Sequence, residues 1–206
     1  HNELTAYLFD VLNVAERAQY AAAHLEQWMR RDERELEPQL YGSSKAYIEF
    51  QPKGVIGNMP AWNFPVDLSV GPLVEMLAAG NRVIIKPSEQ TPAVGQLLAE
   101  MLGDTFAREQ VSVVNGGLDL ARHFSTLKWD HLLYTGNSAV GKEVMRNAAQ
   151  NLVPVTLELG GNDAGTNDVL AVVHVMDEPV ERRDPLHQAL LHAGPLVRGN
   201  DAGDQV

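Results

Sequence analysis

The sequence predicts an α/β fold, a doubly wound, Rossmann-like parallel sheet with helices on both faces, preceded by a long N-terminal helix. Three observations predict it. Short β-branched runs alternate with helix-patterned segments between residues 54 and 161, and those helix patterns are bounded by cap and stop residues. The third is the content of hydrophobic residues, 45% of 206, enough for one sizeable core.

The elements follow in order. From Glu3 to about Arg34, apolar residues at Leu4, Tyr7, Leu8, Val11, Leu12, Ala15, Ala18, Ala22, Leu25 and Met29 stripe one side of a long helix, which needs a partner surface. "KAYIEFQPKGVIGN" reads as extended segments interrupted at Pro52 and Gly54. Strand-like "GVIGNM" precedes helix-like "DLSVGPLVEMLAAGN", stopped by Gly80 and Asn81; "RVIIKP" precedes "TPAVGQLLAEMLG", entered through Thr91 as cap and Pro92 in the first turn. "VSVVNG" precedes "LDLARHFSTL", "DHLLYTG" precedes "SAVGKEVMRNAAQNL", and "VPVTLELGG" closes the series. Ligands of such sheets bind at the carboxyl ends of the strands.

Residues 162–206 form an atypical acidic tail, with eight acidic residues against three arginines. "DVLAVVHV" reads as one strand and "DPLHQALL" as one short helix, with Asp184 as cap and Pro185 at the first helical position. No further strand–helix–strand unit is evident, and loose or irregular packing is expected there.

Composition excludes several classes. A formal net charge of -11 without a basic cluster argues against sequence-independent nucleic-acid binding, which depends on releasing phosphate counterions. No apolar run is long enough to cross a bilayer and no signal peptide is evident, so a cytoplasmic protein is expected. The chain starts at His1, and a missing N-terminal stretch is an expectation. The absence of cysteine excludes disulfides, thiolate metal sites and any sulfur nucleophile supplied by this chain. His24, His123, His131 and the histidines of the tail show no metal-ligand spacing.

Four stretches carry candidate chemistry. "LLYTGNSAVGKEVM" places Gly136, Gly141 and Lys142 like a triphosphate loop, but Glu143 stands where that motif needs a hydroxyl for Mg²⁺. Its position between a strand and a helix turns backbone N–H groups towards an anion; two glycines that only permit close strand-to-helix packing fit the residues as well. In "AWNFPVD", Asn63 at the sheet's carboxyl edge is placed to donate to a developing oxyanion, although an Asn in a turn more often bonds its own backbone. "IIKPSEQTP" sets Lys86 and Glu89 just after a strand, where they fit the hydroxyls of an adenosine ribose or equally a solvated ion pair. "VTLELGG" carries one carboxylate, Glu158, in an apolar strand; desolvation there would suit a general base, and an exposed strand face is the alternative.

Taken in order, "YIEFQPKGVIGNMPAWNFPVDLSVGPLVEMLAAGNRVIIKPSE", "VNGG", "DHLLYTGNSAVGKEVM" and "PVTLELGG" resemble successive motifs of the aldehyde dehydrogenase superfamily, most like its coniferyl aldehyde branch. The resemblance covers roughly residues 3–161 and implies NAD-dependent, or NADP-dependent, oxidation of an aldehyde to a carboxylic acid. In that family a cysteine thiolate attacks the aldehyde, hydride passes to the nicotinamide and water hydrolyses the thioester. The resemblance makes Asn63 the oxyanion donor, Lys86 and Glu89 the ribose contacts, and Glu158 the general base. It sets Gly136 and Asn137 against the pyrophosphate and nicotinamide half, with Trp62 and Gly116 lining the cofactor cleft. Residues 1–161 are then an NAD(P)-binding domain, with residues 45–56 resembling the oligomerisation hairpin, and a homo-oligomer is expected of an intact protein. Asn137 replaces the usual Ser, Ala61 the usual Pro and Asn162 the usual Lys. The catalytic cysteine is expected around His192 to Val197, where none exists. The expectation is therefore a cofactor-binding part without its catalytic domain, inactive alone; the alternatives are a non-catalytic dinucleotide-binding or interaction module, or an unstable truncation product.

Overall fold

The computed structural model of the chain describes residues 2–160. The strand and helix expected in the tail, Gly161 and the segment His192 to Val197 lie outside the described residues. Among the described residues, no helix is long and apolar enough to cross a membrane.

Helical structure opens with α1 (Glu3–Ala6), a π-helical stretch Tyr7–Leu12, and α2 (Asn13–Trp28). It stops short of Arg34, because Asp32–Arg34 forms strand β1, paired antiparallel with β2 (Ala46–Ile48) across α3 (Pro38–Tyr41). Ala46–Ile48, within the segment 45–56 that resembles an oligomerisation hairpin, thus pairs upstream with β1.

Five parallel strands follow: β3 (Val55–Met59), β4 (Arg82–Ile85), β5 (Val111–Val113), β6 (His131–Gly136) and β7 (Val155–Leu159). Between them run α4 (Asp67–Ala78), α5 (Pro92–Thr105), α6 (Leu118–Thr126) and α7 (Ser138–Ala149). The strand order is β5-β4-β3-β6-β7, so the chain builds outward from β3 to β5 and then returns to the other side of β3. That reversal between β3 and β6 is the topological switch point, the place at the carboxyl ends where ligands of such sheets bind. The alternation predicted from sequence is what the structure contains.

Strand register divides the sheet into two faces. Ile56, Asn58, Val83, Ile85, Val111, His131, Leu133, Thr135, Thr156 and Glu158 share one side by parity. There Val83, Ile85 and Val111 pack with Leu73 of α4 and Leu102 of α5. On the opposite side Met59, Leu132 and Tyr134 pack with Phe124 of α6 and with Val144 and Ala148 of α7. Gly57 makes this second core possible, since a Cβ there would meet Leu132, Phe124 and Trp129 at 2.8–2.9 Å.

The N-terminal helical run packs differently from its sequence pattern. Leu4, Tyr7, Leu8, Val11 and Met29 of the expected stripe are exposed, whereas Asp10 and Ala21 are buried. The inward side mixes apolar residues, among them half-buried Leu12, Val14, Leu25 and Trp28, with polar ones: Asp10 Oδ1 accepts the Asp67 N–H at 2.5 Å, Asn13 donates to Asp67 Oδ1 at 2.8 Å, and Arg17 pairs with Glu75 at 3.4 Å. Helix α4 has no side-chain cap of its own, and Asp10 supplies one from 57 residues upstream. Specific polar pairs thus fasten the helix to α4.

Candidate functional site

Four strand exits meet at the carboxyl edge beside the switch point. After β4, the ammonium of Lys86 is 3% exposed and donates to Glu89 Oε2 at 2.9 Å. Its backbone N–H continues the ladder to Asn58 O at 2.8 Å, which fixes where the side chain starts. An ammonium has three N–H bonds, and among the described residues Glu89 is its one side-chain partner. Lys86 also holds the Glu89 carboxyl below its ordinary range by that hydrogen bond. A buried, fixed cation with unused donors beside an ionised acceptor suits vicinal hydroxyls better than a solvated ion pair does.

After β6, Gly136 has φ 157°, and a Cβ there would lie 2.5 Å from Tyr134 Oη. The Tyr134 hydroxyl lies 3.4 Å from Asn137 O beneath the turn. Burial raises its pKa, the Asn137 contact opposes this and the charge of Glu89 adds to it, so groups leaving β4 and β6 sense one another. Asn137 is the N-cap of α7, its Oδ1 accepting from Ala139 N at 2.7 Å and Val140 N at 3.4 Å. This corrects one expectation: two of the N–H groups thought to face an anion are already capped. Gly141 serves packing, since a Cβ there would meet Leu159 at 2.7 Å. Lys142 is exposed and Glu143 pairs with Arg146 at 2.5 Å, so nothing of a triphosphate-binding geometry is present there.

After β5, Asn115 donates to Gly95 O at 3.0 Å and anchors the exit loop on α5. A Cβ on Gly116 would lie 2.6 Å from Leu120 Cδ2, so the loop runs close over α6 and any larger residue there would have to displace the Leu120 side chain. After β3, the turn to α4 carries Trp62, 56% exposed, and half-buried Asn63.

Glu158 lies on β7, the sheet's edge strand, opposite Thr135 in register. It is half-buried, so the strand does not deliver the full desolvation expected of it; its face of β6 and β7 lies beyond the cores built by α4 and α5. His131, on the same face, has its pKa lowered by burial and by Lys53, and contacts Thr156 Oγ1 at 2.9 Å. Among the described residues, no cluster of three or more metal-ligating side chains occurs.

Sequence reasoning missed Asn58 and Tyr134. The signal for Asn58 was a lone amide in an otherwise apolar strand; the contact of Tyr134 with the Gly136 turn had none.

These exits gather at the carboxyl edge of a doubly wound sheet, where ligands of such sheets bind, and comparison with known proteins gives the family. The chain matches the aldehyde dehydrogenase family over residues 2–170 and belongs to that family. It is 52% identical over 142 residues to a probable coniferyl aldehyde dehydrogenase of Pseudomonas aeruginosa, covering 69% of this chain and 30% of that protein. A probable coniferyl aldehyde dehydrogenase of Caulobacter vibrioides is 47% identical over 156 residues, 75% of this chain and 32% of that protein. Among solved structures, a substrate-bound Staphylococcus aureus AldH matches with a TM-score of 0.75 at 34% identity, over 78% of this chain and 35% of that one. A Mycobacterium tuberculosis aldehyde dehydrogenase complexed with NAD+ matches with a TM-score of 0.65 at 32% identity, over 76% of this chain and 32% of the other. The chain spans about a third of the length of these relatives.

Proposed function

We propose that this chain is the dinucleotide-binding part of an NAD-dependent aldehyde dehydrogenase, and that by itself it binds cofactor without oxidising aldehyde. The observation that carries the reading is the buried Lys86 ammonium, hydrogen-bonded to Glu89 and holding further N–H donors, next to the Gly136–Asn137 turn at the switch point. Lys86 would donate to one ribose hydroxyl and Glu89 would accept from the other. The Gly136–Asn137 turn and the start of α7 would meet the pyrophosphate, while Gly116 and Trp62 leave room along the cleft. Bound there, NAD would supply the acceptor for the electrons taken from an aldehyde.

Glu89 disfavours a 2′-phosphate by charge repulsion, which supports NAD over NADP. Asn63 is proposed to donate to the oxyanion and Glu158 to act as general base in the longer protein, on an aldehyde of the coniferyl type named for the relatives above. The thiolate chemistry implied by the resemblance needs a cysteine, and the 206 residues contain none. Self-association of an intact protein through the region of residues 45–56 is part of the same reading.

Titration with NADH and NADPH, followed by fluorescence, tests the proposal. Saturable NADH binding is expected, tighter than NADPH, and Glu89→Ala should weaken NADH about tenfold, the loss of one charge-assisted hydrogen bond. Absence of binding at millimolar cofactor would refute the binding, and aldehyde-dependent NADH production by the purified chain would refute the inactivity.

A further inference from the structure

The turn that carries Trp62 and Asn63 ends at α4, and α4 contains Pro72. Proline has no N–H, so the carbonyl of Leu68, four residues earlier, loses its helical partner. Asn58, fully buried in β3, donates through Nδ2 to Leu68 O and to Ser69 O, each at 3.2 Å. Its Oδ1 is buried without a partner among the described residues, so the side chain sits here at a cost and its two N–H bonds are what the position gains. The backbone carbonyl of the same residue accepts the Lys86 N–H at 2.8 Å. One residue therefore joins the strand end, the start of the Lys86 segment and the broken turn of the helix that terminates the 60–66 loop.

We propose that Asn58 is the positioning residue of the Trp62–Asn63 turn, acting by satisfying the Leu68 carbonyl that Pro72 leaves open. Either residue alone is unfavourable: a buried amide with an orphaned oxygen, or an interior proline above an unsatisfied carbonyl. Together they fix the direction in which α4 leaves the sheet, and with it the turn at the carboxyl edge beside the switch point. The functional part of this inference rests on the cofactor reading above; the pairing of Asn58 with Pro72 does not.

A double-mutant cycle on the full chain tests it, using Asn58→Leu, Pro72→Ala and both together. Leucine keeps the branched shape and removes the donor, its bulkier methyl ends adding a packing cost common to both backgrounds, whereas alanine at position 72 restores the N–H that Leu68 O lacks. Asn58→Leu is expected to lower the folding equilibrium constant at least about tenfold more with Pro72 present than in the Pro72→Ala background, the cost of one buried unsatisfied carbonyl. Costs that are additive within error overturn the pairing. For the functional part, NADH affinity should fall about tenfold in Asn58→Leu and return in the double variant, while AMP, which does not reach the Trp62 turn, binds all folded variants alike. Equal weakening of NADH and AMP, or no recovery in the double variant, would reduce Asn58 to a stability residue. If the parent chain binds no NADH, the cofactor reading fails, and the stability cycle still decides the pairing.

Discussion

Asn137 sets a helix cap against the proposed pyrophosphate contact. By accepting from Ala139 and Val140 it caps α7, but it also occupies the N–H groups that a pyrophosphate would use. Asn137→Ala should cost about 1 kcal/mol of stability in denaturant melts, whereas Asn137→Gly should cost only a few tenths. Because the glycine variant frees those N–H groups, its NADH affinity should match or exceed that of the parent; a tenfold fall would show that the asparagine side chain itself binds cofactor. Lys86 is the opposite case. Its ammonium is desolvated and, among the described residues, Glu89 is its one side-chain partner, so Lys86→Met should abolish most NADH affinity while changing the melting temperature little, because the Glu89 left behind is partly exposed to water. A large loss of stability in Lys86→Met would mean that the pair exists for the fold. The types and positions of these residues were legible in the sequence, but the Asn137 cap was not. Whether an amide turns back onto its own helix depends on backbone angles that adjacent letters do not state.

Among the elements, the seam between the N-terminal helical run and α4 has its own electrostatics. Asp10, Asp67 and Glu75 all have raised pKa values, each mainly by burial; Arg17 is the cation that lowers those of Asp67 and Glu75. A carboxylate whose folded pKa is raised binds its proton more tightly in the folded state. Its contribution to stability therefore grows as pH falls through the raised value and is fully present below the unfolded value, 3.8 for Asp and 4.5 for Glu. His131, with a lowered pKa, acts in the opposite sense below its usual 6.5, so the comparison must be between variants. Asp10→Asn, which keeps an acceptor for the Asp67 N–H, should raise the melting temperature at pH 7 and gain less than the parent on acidification. Arg17→Met should destabilise most at pH 7 and progressively less towards pH 5. A pH-independent difference in both variants would remove the seam's electrostatic account. The N-terminal part of this side was misread because periodicity counts apolar residues, and here Asp10, accepting the Asp67 N–H, and Asn13, donating to the Asp67 carboxylate, face α4 while Leu4, Tyr7, Leu8 and Val11 stay exposed.

For the molecule as a whole, the order of strands and helices was readable because each unit carries its own stop: Gly80 with φ 83° before β4, and Pro92 at the start of α5. The strand order was not, since β-branched runs do not say which neighbours they pair with; the return of β6 to the free side of β3 emerges only in the fold. That return gives four separate loops one address, the carboxyl edge at the switch point. It also fixes where binding should not occur, such as the shallow hollow lined by Leu77, Gly80, Asn81 and Arg82 at the amino ends of the strands. Hydrogen–deuterium exchange of the full chain with and without NADH measures this directly. Slowed exchange is predicted in the segments around Trp62, Lys86 to Thr91, Gly116 and Gly136 to Gly141, with no change around Asn81. Protection at the Asn81 edge, or none at the four loops under saturating NADH, would contradict a cofactor site at the switch point.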